Sequence, residues 1–205
     1  CKWKQCTFCD YHTDVSEDPF SVNREVLACV TGIYGVLDVI NSGSAIELDG
    51  QTIKAIKRIV KEKNIHTLWF EAHYMYRHKL EKFAEQFDGV DVKFRCGIES
   101  FDSALRELWK KGVSPDVTVE DVAKYFHGVC LLCCTEADSK ERISRDIALA
   151  EQYFEYASVN VFCENTTHVK RDNNLAKWFL KEVYPELKQS KKIEILINNT
   201  DLGVG

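Results

Sequence analysis

The sequence predicts an α/β fold: a partial (βα)6 barrel of parallel strands with its helices outside. Two observations predict it. Apolar runs rich in β-branched residues alternate with stretches whose apolar positions recur at helical spacing. Each apolar run then closes in polar residues, as strands do when their carboxyl ends face a ligand. Right-handed crossovers in such units curl the sheet toward a barrel.

The elements follow in order. IYGVLDVIN (33–41) reads as the first strand, closed by the turn chemistry of NSGSA. DGQTIKAIKRIVKEKN (49–64) places apolar residues at 53, 56, 59 and 60, which is helical spacing. IHTLWFEAHYMY (65–76) returns to strand and RHKLEKFAEQF (77–87) to helix. VDVKFRCGIES (90–100) is a strand. DSALRELWKKG (102–112) is a helix capped by Asp102 and stopped by Gly112. HGVCLLCCTEA (127–137) is a strand, and the helix over 139–157 starts at Ser139. Strand 158–167, helix 173–187 and strand 191–199 complete the series.

Composition bounds the function. The chain has 205 residues, enough for one large domain with a real core, and a single domain over 1–205 is expected. Its net charge is -5 and it carries no basic stripe, which argues against a nucleic-acid partner. The basic runs at 57–63 and 187–194 read as solvated helix faces or turns. No apolar run approaches the roughly 18–20 residues that span a bilayer, and no secretory h-region is present. The cysteines number nine, an odd count whose spacings do not pair. Outside the first nine residues they read as reduced, buried core thiols of a cytoplasmic protein, Cys29, Cys130 and Cys133 among them.

The strand ends carry the chemistry. They hold Asn41-Ser42-Gly43-Ser44, then Glu71 and His73, then Arg95, Cys96 and Glu99. Cys134, Thr135 and Glu136 follow, then Cys163, Glu164 and Asn165, and last Asn198, Asn199 and Asp201. Strand ends are polar for ordinary reasons, but six in a row with Cys, His and Glu interleaved favour a functional face. The same mix also suits a second metal, zinc foremost.

The N-terminus, CKWKQCTFCDYH, adds three thiols within nine residues: Cys1, Cys6 and Cys9. A disulfide would strand one of them. A tetrahedral zinc needs four ligands, and His12 is available as the fourth. A [4Fe–4S] cubane normally takes four cysteines; three leave one iron open to a substrate or cofactor.

These residues resemble the radical S-adenosylmethionine (SAM) enzymes. Their fingerprint is C-x3-C-x2-C with an aromatic before the last cysteine. Here the spacing is C-x4-C-x2-C with Phe8 before Cys9. NSGSA (41–45) stands where the family has its glycine-rich strand end, without the usual GGE. RCGIES (95–100) resembles the family's GIES stretch. GVCLLCCTEAD (128–138) stands where a G-x-I-x-G-x-x-E strand often lies, without its second glycine. The resemblance covers nearly the whole chain. It implies a [4Fe–4S] cluster on Cys1, Cys6 and Cys9, and SAM on the open iron. One electron then cleaves SAM, and the resulting 5′-deoxyadenosyl radical takes hydrogen from substrate. Phe8 and Tyr11 are implied beside the cofactors, Ser42, Gly43 and Ser44 at the methionyl amino group, Glu99 at the ribose or methionyl end, and Leu132 beside the adenine. The family's first strand precedes the cluster loop, so the resemblance implies a strand and a natural start before Cys1. DLGVG (201–205) reads as loop rather than terminus.

CTFCDYH, NSGS and VFCENTT are similar, more closely, to the small group that includes queuine lyase, which releases 7-aminomethyl-7-deazaguanine in queuosine salvage and has zinc associated with its site. The substrate implied is a small molecule, a 7-deazaguanine base. Asn41, Arg95, Cys96 and Asn165 are implied as its binding residues. Glu71, His73, Cys134 and Glu164 are implied as catalytic, with Glu71, Glu164 and Asn165 suited to read the base edge. A one-electron donor such as flavodoxin or ferredoxin and a homodimer complete the expected partners. Two other readings stay open here: a radical SAM enzyme modifying a peptide or another small molecule, and a zinc-stabilised binding module on Cys1, Cys6, Cys9 and His12.

Overall fold

The computed structural model describes residues 1–13 and 15–198. Six strands form one sheet in sequential order: β1 (Val36–Val39), β2 (Thr67–Ala72), β3 (Asp91–Glu99), β4 (Gly128–Cys133), β5 (Tyr156–Val161) and β6 (Ile193–Leu196). Sequential order with parallel pairing is the signature of right-handed βα crossovers. The fold is the predicted one, an α/β partial (βα)6 barrel. The helices are α1 (Pro19–Ala28), α2 (Gly50–Glu62), α3 (Leu80–Ala84), α4 (Ser103–Leu108), α5 (Val119–Ala123), α6 (Lys140–Tyr153), α7 (Asn173–Trp178) and α8 (Tyr184–Leu187).

The chain divides into two compact units. One comprises Cys1–Lys4 and Tyr11–Phe94, the other Gln5–Asp10 and everything from Arg95 onward. In the first, α2 buries Ile53, Ile56, Ile59 and Val60 along one stripe, and Asp49 caps it by accepting from the Gln51 and Thr52 N–H groups. Phe70 of β2 centres an aromatic cluster with Phe83, Phe87 and Phe94, ring centroids 5.2–6.1 Å apart. In the second, Leu131, Cys133 and Val159 pack against Ile143 and Ile147 of α6. Ser139 caps that helix as its position predicts.

The structure corrects several boundaries. The strand expected over 65–76 stops at Ala72, and Tyr74–Lys79 form a 3₁₀ helix. His73 causes the switch, because its Nδ1 accepts the Met75 N–H and caps the turn. The helix expected to run to 157 ends at Tyr153, and β5 begins at Tyr156, two residues before the expected strand. The helix expected over 173–187 is present, but Phe179–Val183 adopt π geometry within it. Two helices, α1 and α5, lie in segments to which the sequence patterns assign nothing. Asn199 and Asp201, expected at the end of the last strand, lie outside the described residues.

All nine cysteines are free. Cys96, Cys130, Cys133 and Cys134 are buried as expected, and Cys163 is half-buried. Cys29 is exposed, against expectation, because α1, whose C-terminus it follows, buries none of its residues.

Candidate active site

The candidate side chains divide between the two units. The first holds Cys1, Tyr11, Asn41, Ser42, Gly43, Ser44, Glu71 and His73. The second holds Cys6, Phe8, Cys9, Arg95, Cys96, Glu99, Leu132, Cys134, Glu164 and Asn165.

In the first unit the strand-end turn meets the N-terminal segment. A side chain on Gly43 would stand 3.0 Å from the Cys1 Cα and 2.9 Å from a Glu47 carboxylate oxygen, so a residue larger than glycine would push the Cys1 backbone away from this turn. Glu47 holds the segment in place: its Oε2 accepts the Lys2 N–H at 2.8 Å, and its Oε1 accepts the Tyr76 hydroxyl at 2.9 Å. Burial and the Glu47 carboxylate push the Tyr76 hydroxyl up to about 12. The buried Ser44 hydroxyl accepts the His73 N–H at 2.9 Å, and the His73 ring stacks on Trp3 with centroids 5.5 Å apart. Ser42 and Tyr11 are exposed and Glu71 is half-buried. The Asn41 side-chain oxygen is buried with no hydrogen-bond partner among the described residues, an acceptor awaiting a donor.

In the second unit the Cys6 and Cys9 loop sits on an apolar floor of Phe8, Leu105, Trp109 and Phe162, with Leu132 beside it. Phe8 meets Trp109 edge to face at 5.4 Å. The loop is fastened by three contacts. The Thr7 N–H donates to the Trp109 carbonyl at 3.0 Å. The Asn165 amide donates to the Phe8 carbonyl at 2.8 Å. Asp10 accepts both the N–H and the hydroxyl of Thr166. Asn165 also accepts the Thr167 N–H, so its amide oxygen and nitrogen both have partners, one of them the loop. Burial pushes the Cys6 thiol up to about 11, against the pull of Lys111.

Glu99 pairs with Lys111, Oε1 to Nζ at 2.7 Å. Burial alone would lower the Lys111 ammonium, but Glu99 overrides it and the net shift is upward. Glu99 and Cys134 both adopt left-handed backbone, at φ 66° and 68°. For a non-glycine residue that costs about 1–3 kcal/mol, and such strain gathers at ligand sites. Both stand at the carboxyl end of a strand, as the sequence expects of site residues.

Register sorts the remaining candidates by face. Arg95, Gly128 and Tyr156 share a row, as do Leu132, Asn160 and Leu196. The Arg95 guanidinium lies 5.6 Å over the Tyr156 ring, and the Tyr156 hydroxyl donates to Glu194. The Asn160 side-chain oxygen is another buried acceptor with no partner among the described residues. Cys96 shares its row with Val129 and Ala157 and is fully buried. This corrects its expected role: one residue from Arg95 along a pleated strand, it points to the opposite face, into the core that α6 covers. Cys134 is fully buried too, its sulfur 3.6 Å from that of Cys133, which burial pushes well up. Glu164 is exposed, with Lys170 at 3.9 Å.

Trp3, Glu47, Asp10, Trp109, Lys111 and Asn160 are neighbours of the candidate residues that sequence patterns miss. Lys111 was visible only as part of a helix stop, KKG. Among the described residues, no three His, Cys, Asp or Glu side chains converge on a point that a single metal ion could occupy. A cubane makes a different demand, since each thiolate meets its own iron corner.

No protein-family profile and no curated protein matches the chain. Among solved structures, queuine lyase from Clostridium spiroforme bound to SAM and queuine matches with a TM-score of 0.93 at 38% identity. The match covers 100% of this chain and 90% of that one. A sequentially ordered parallel sheet with this cysteine loop and this full-length likeness defines a radical SAM enzyme. The chain belongs to the queuine lyase family. No helix among the described residues is long and apolar enough to cross a membrane.

Proposed function

We propose that this enzyme is a queuine lyase, releasing 7-aminomethyl-7-deazaguanine with the help of SAM. The observation that carries the reading is the full-length match, at 38% identity, to a queuine lyase whose ligands are SAM and queuine. Cys1, Cys6 and Cys9 would hold a [4Fe–4S] cluster. The donor set fits: three free, partly exposed thiols on one N-terminal loop, with Cys6 and Cys9 against an apolar floor. When bound, the cluster supplies the electron that opens the SAM sulfonium bond and so starts hydrogen abstraction from the substrate.

The chain's own residues bind, orient and exclude water. Phe8, Trp109 and Phe162 keep the thiolates' floor dry. Ser42, Gly43 and Ser44 receive the methionyl end, Glu99 the ribose hydroxyls, Leu132 the adenine, and Tyr11 flanks the cofactor. The orphaned acceptor of Asn41 suits an N–H of a base or an amine. Arg95, expected at a strand end, is set aside: its row with Gly128 and Tyr156 lies at the amino ends of β4 and β5. Glu71 and Glu164 are the carboxylates suited to the deazaguanine edge. Asn165 serves the loop instead, since its amide is already bonded to Phe8. In this reading Glu71, His73 and Glu164 are the side chains able to move a proton, while Cys134, fully buried against Cys133, belongs to the core. Zinc is left out of this reading, which needs only the three thiols and SAM.

The electron comes from a small donor such as flavodoxin or ferredoxin. The cytoplasm, where thiols stay reduced, suits nine free cysteines. A homodimer belongs to the same reading, supported by Val26, Ile33 and Tyr34 at 67%, 76% and 84% exposure.

The test is anaerobic incubation with SAM, dithionite and queuine, scored by mass. SAM-dependent appearance of 5′-deoxyadenosine and 7-aminomethyl-7-deazaguanine is expected. Deoxyadenosine without any fragment from queuine rejects the lyase. A colourless protein holding one zinc rejects the cluster.

A further inference from the structure

Glu99 and Lys111 pair within the second unit, Oε1 to Nζ at 2.7 Å, and both side chains are nearly buried, at 11% and 9% exposure. Burying such a pair generally costs as much as its attraction returns, and a well-packed apolar pair of the same volume would hold the fold equally well. The pair therefore calls for a reason other than stability. The backbone of β3 points to one. Its register against β4 shifts between Gly97 and Glu99, so Glu99 comes level with Leu131 instead of Leu132. Such bulges re-aim a side chain and gather beside active sites. Glu99 then takes left-handed backbone at φ 66°, at the carboxyl end of the strand, where α/β folds bind ligands. Both departures from regular strand geometry serve one carboxylate. Lys111 is fixed as firmly. Its N–H donates to the Arg106 carbonyl at 2.9 Å, Gly112 turns the chain away at φ 71°, and its ammonium lies 5.6 Å from the centroid of the Phe8 ring.

We propose that Lys111 positions the Glu99 carboxylate for the ribose of SAM, holding Oε1 so that Oε2 is presented to the ribose hydroxyls. This rests on the reading that Glu99 receives those hydroxyls. An ionised carboxylate accepts at both oxygens, so the ammonium on Oε1 leaves Oε2 for a hydroxyl donor. The carboxylate is planar and its stem starts from a fixed backbone, so pinning one oxygen fixes the other. A free glutamate would lose rotamer freedom when SAM binds, whereas a pinned one has lost it already. Lys111 is thus a positioning residue, acting on SAM through Glu99.

Anaerobically reconstituted holoenzyme, titrated calorimetrically with S-adenosylhomocysteine and with its 2′,3′-dideoxyribose analogue, tests this. Wild type should prefer the ligand with both hydroxyls by about tenfold or more, as hydrogen bonds to a charged group require. Lys111→Met keeps the stem and removes the pin. Its preference should fall to about twofold or less, with the affinity for the dideoxy analogue unchanged. Lys111→Arg should restore most of the preference. A merely structural lysine would weaken both ligands alike, so a Lys111→Met enzyme that keeps the wild-type preference overturns the proposal. Should Lys111→Met fail to fold, Lys111→Gln decides. It keeps a donor of shorter reach, so its preference should be partly lost, and a preference equal to that of wild type overturns the proposal. Wild type that binds both ligands equally overturns the ribose role of Glu99, and the proposal with it, before any substitution is made. A wild-type protein that takes up no cubane overturns the radical SAM reading itself, and is told apart by its iron content.

Discussion

Asn165 donates its side-chain amide to the carbonyl of Phe8 at 2.8 Å, tying the turn after β5 to the loop of Cys6 and Cys9 across 157 positions of sequence. One residue further on, Thr166 gives both its N–H and its hydroxyl to Asp10, at 2.9 and 2.7 Å. A neutral hydrogen bond contributes about 0.5–1.5 kcal/mol and one to a charged group about 1.5–3. Asn165→Ala should therefore speed iron loss to a chelator by roughly fivefold, and Asp10→Ala by more. Bleaching near 400 nm under anaerobic chelation measures both. Equal rates in wild type and Asp10→Ala would show that the loop needs no such fastening.

Phe8 supports the loop from below. It is 8% exposed, packs edge to face on Trp109, and shares its cluster with Leu105 and Phe162. Truncating a buried phenylalanine to alanine costs about 3–5 kcal/mol, because the cavity collapses only in part. Phe8→Ala should lower the Tm of the iron-free protein by many degrees, and Phe8→Leu by much less. A Phe8→Ala protein with wild-type Tm and weakened SAM binding would instead make Phe8 a cofactor contact alone.

Much of this was legible from sequence. The alternating β-branched and helical runs specified six strands in their order, because burial on a parallel sheet demands those patterns. Asp102 and Ser139 announced their helices as caps. What stayed hidden depends on tertiary partners. Met75 and Tyr76 look like strand residues, yet His73 caps them into a 3₁₀ turn. Cys96 looks like a ligand, yet strand parity buries it among core side chains. Lys111 reads as a solvated lysine until Glu99, twelve residues earlier, is seen to hold it inside.

Asp146 makes the fold pH-sensitive in a definite direction. It is 5% exposed and accepts the Ser100 hydroxyl at 2.5 Å and the Phe101 N–H at 3.3 Å. Burial raises its carboxyl above the ordinary 3.8, more than the Ser100 bond and Arg145 lower it. The folded state thus holds this proton more tightly than the unfolded chain. The stabilisation is complete below 3.8 and is lost as pH rises through the folded value. Asp146→Asn does not titrate, so its stability relative to wild type should climb with pH from about 4 upward and then level off. Urea unfolding across that range checks the slope. A relative stability that falls as pH rises would reverse the sign and reject the assignment.

The last expectation concerns the segment that carries Cys1. Glu47 joins the Lys2 N–H on one oxygen to the Tyr76 hydroxyl on the other. Tyr76→Phe removes one donor and leaves the carboxylate its backbone partner, a loss of about 1 kcal/mol. Glu47→Ala does more harm, since it releases the Lys2 backbone and strands the buried Tyr76 hydroxyl, adding a desolvation penalty of about 1–3 kcal/mol. Glu47→Gln keeps an acceptor for one partner and should fall between them. Thermal unfolding and the iron retained after gel filtration should rank the three alike: Tyr76→Phe mildest, Glu47→Gln next, Glu47→Ala worst. If Tyr76→Phe proves as damaging as Glu47→Ala, the hydroxyl matters to the site on its own account, and Glu47 is not what anchors the first thiol.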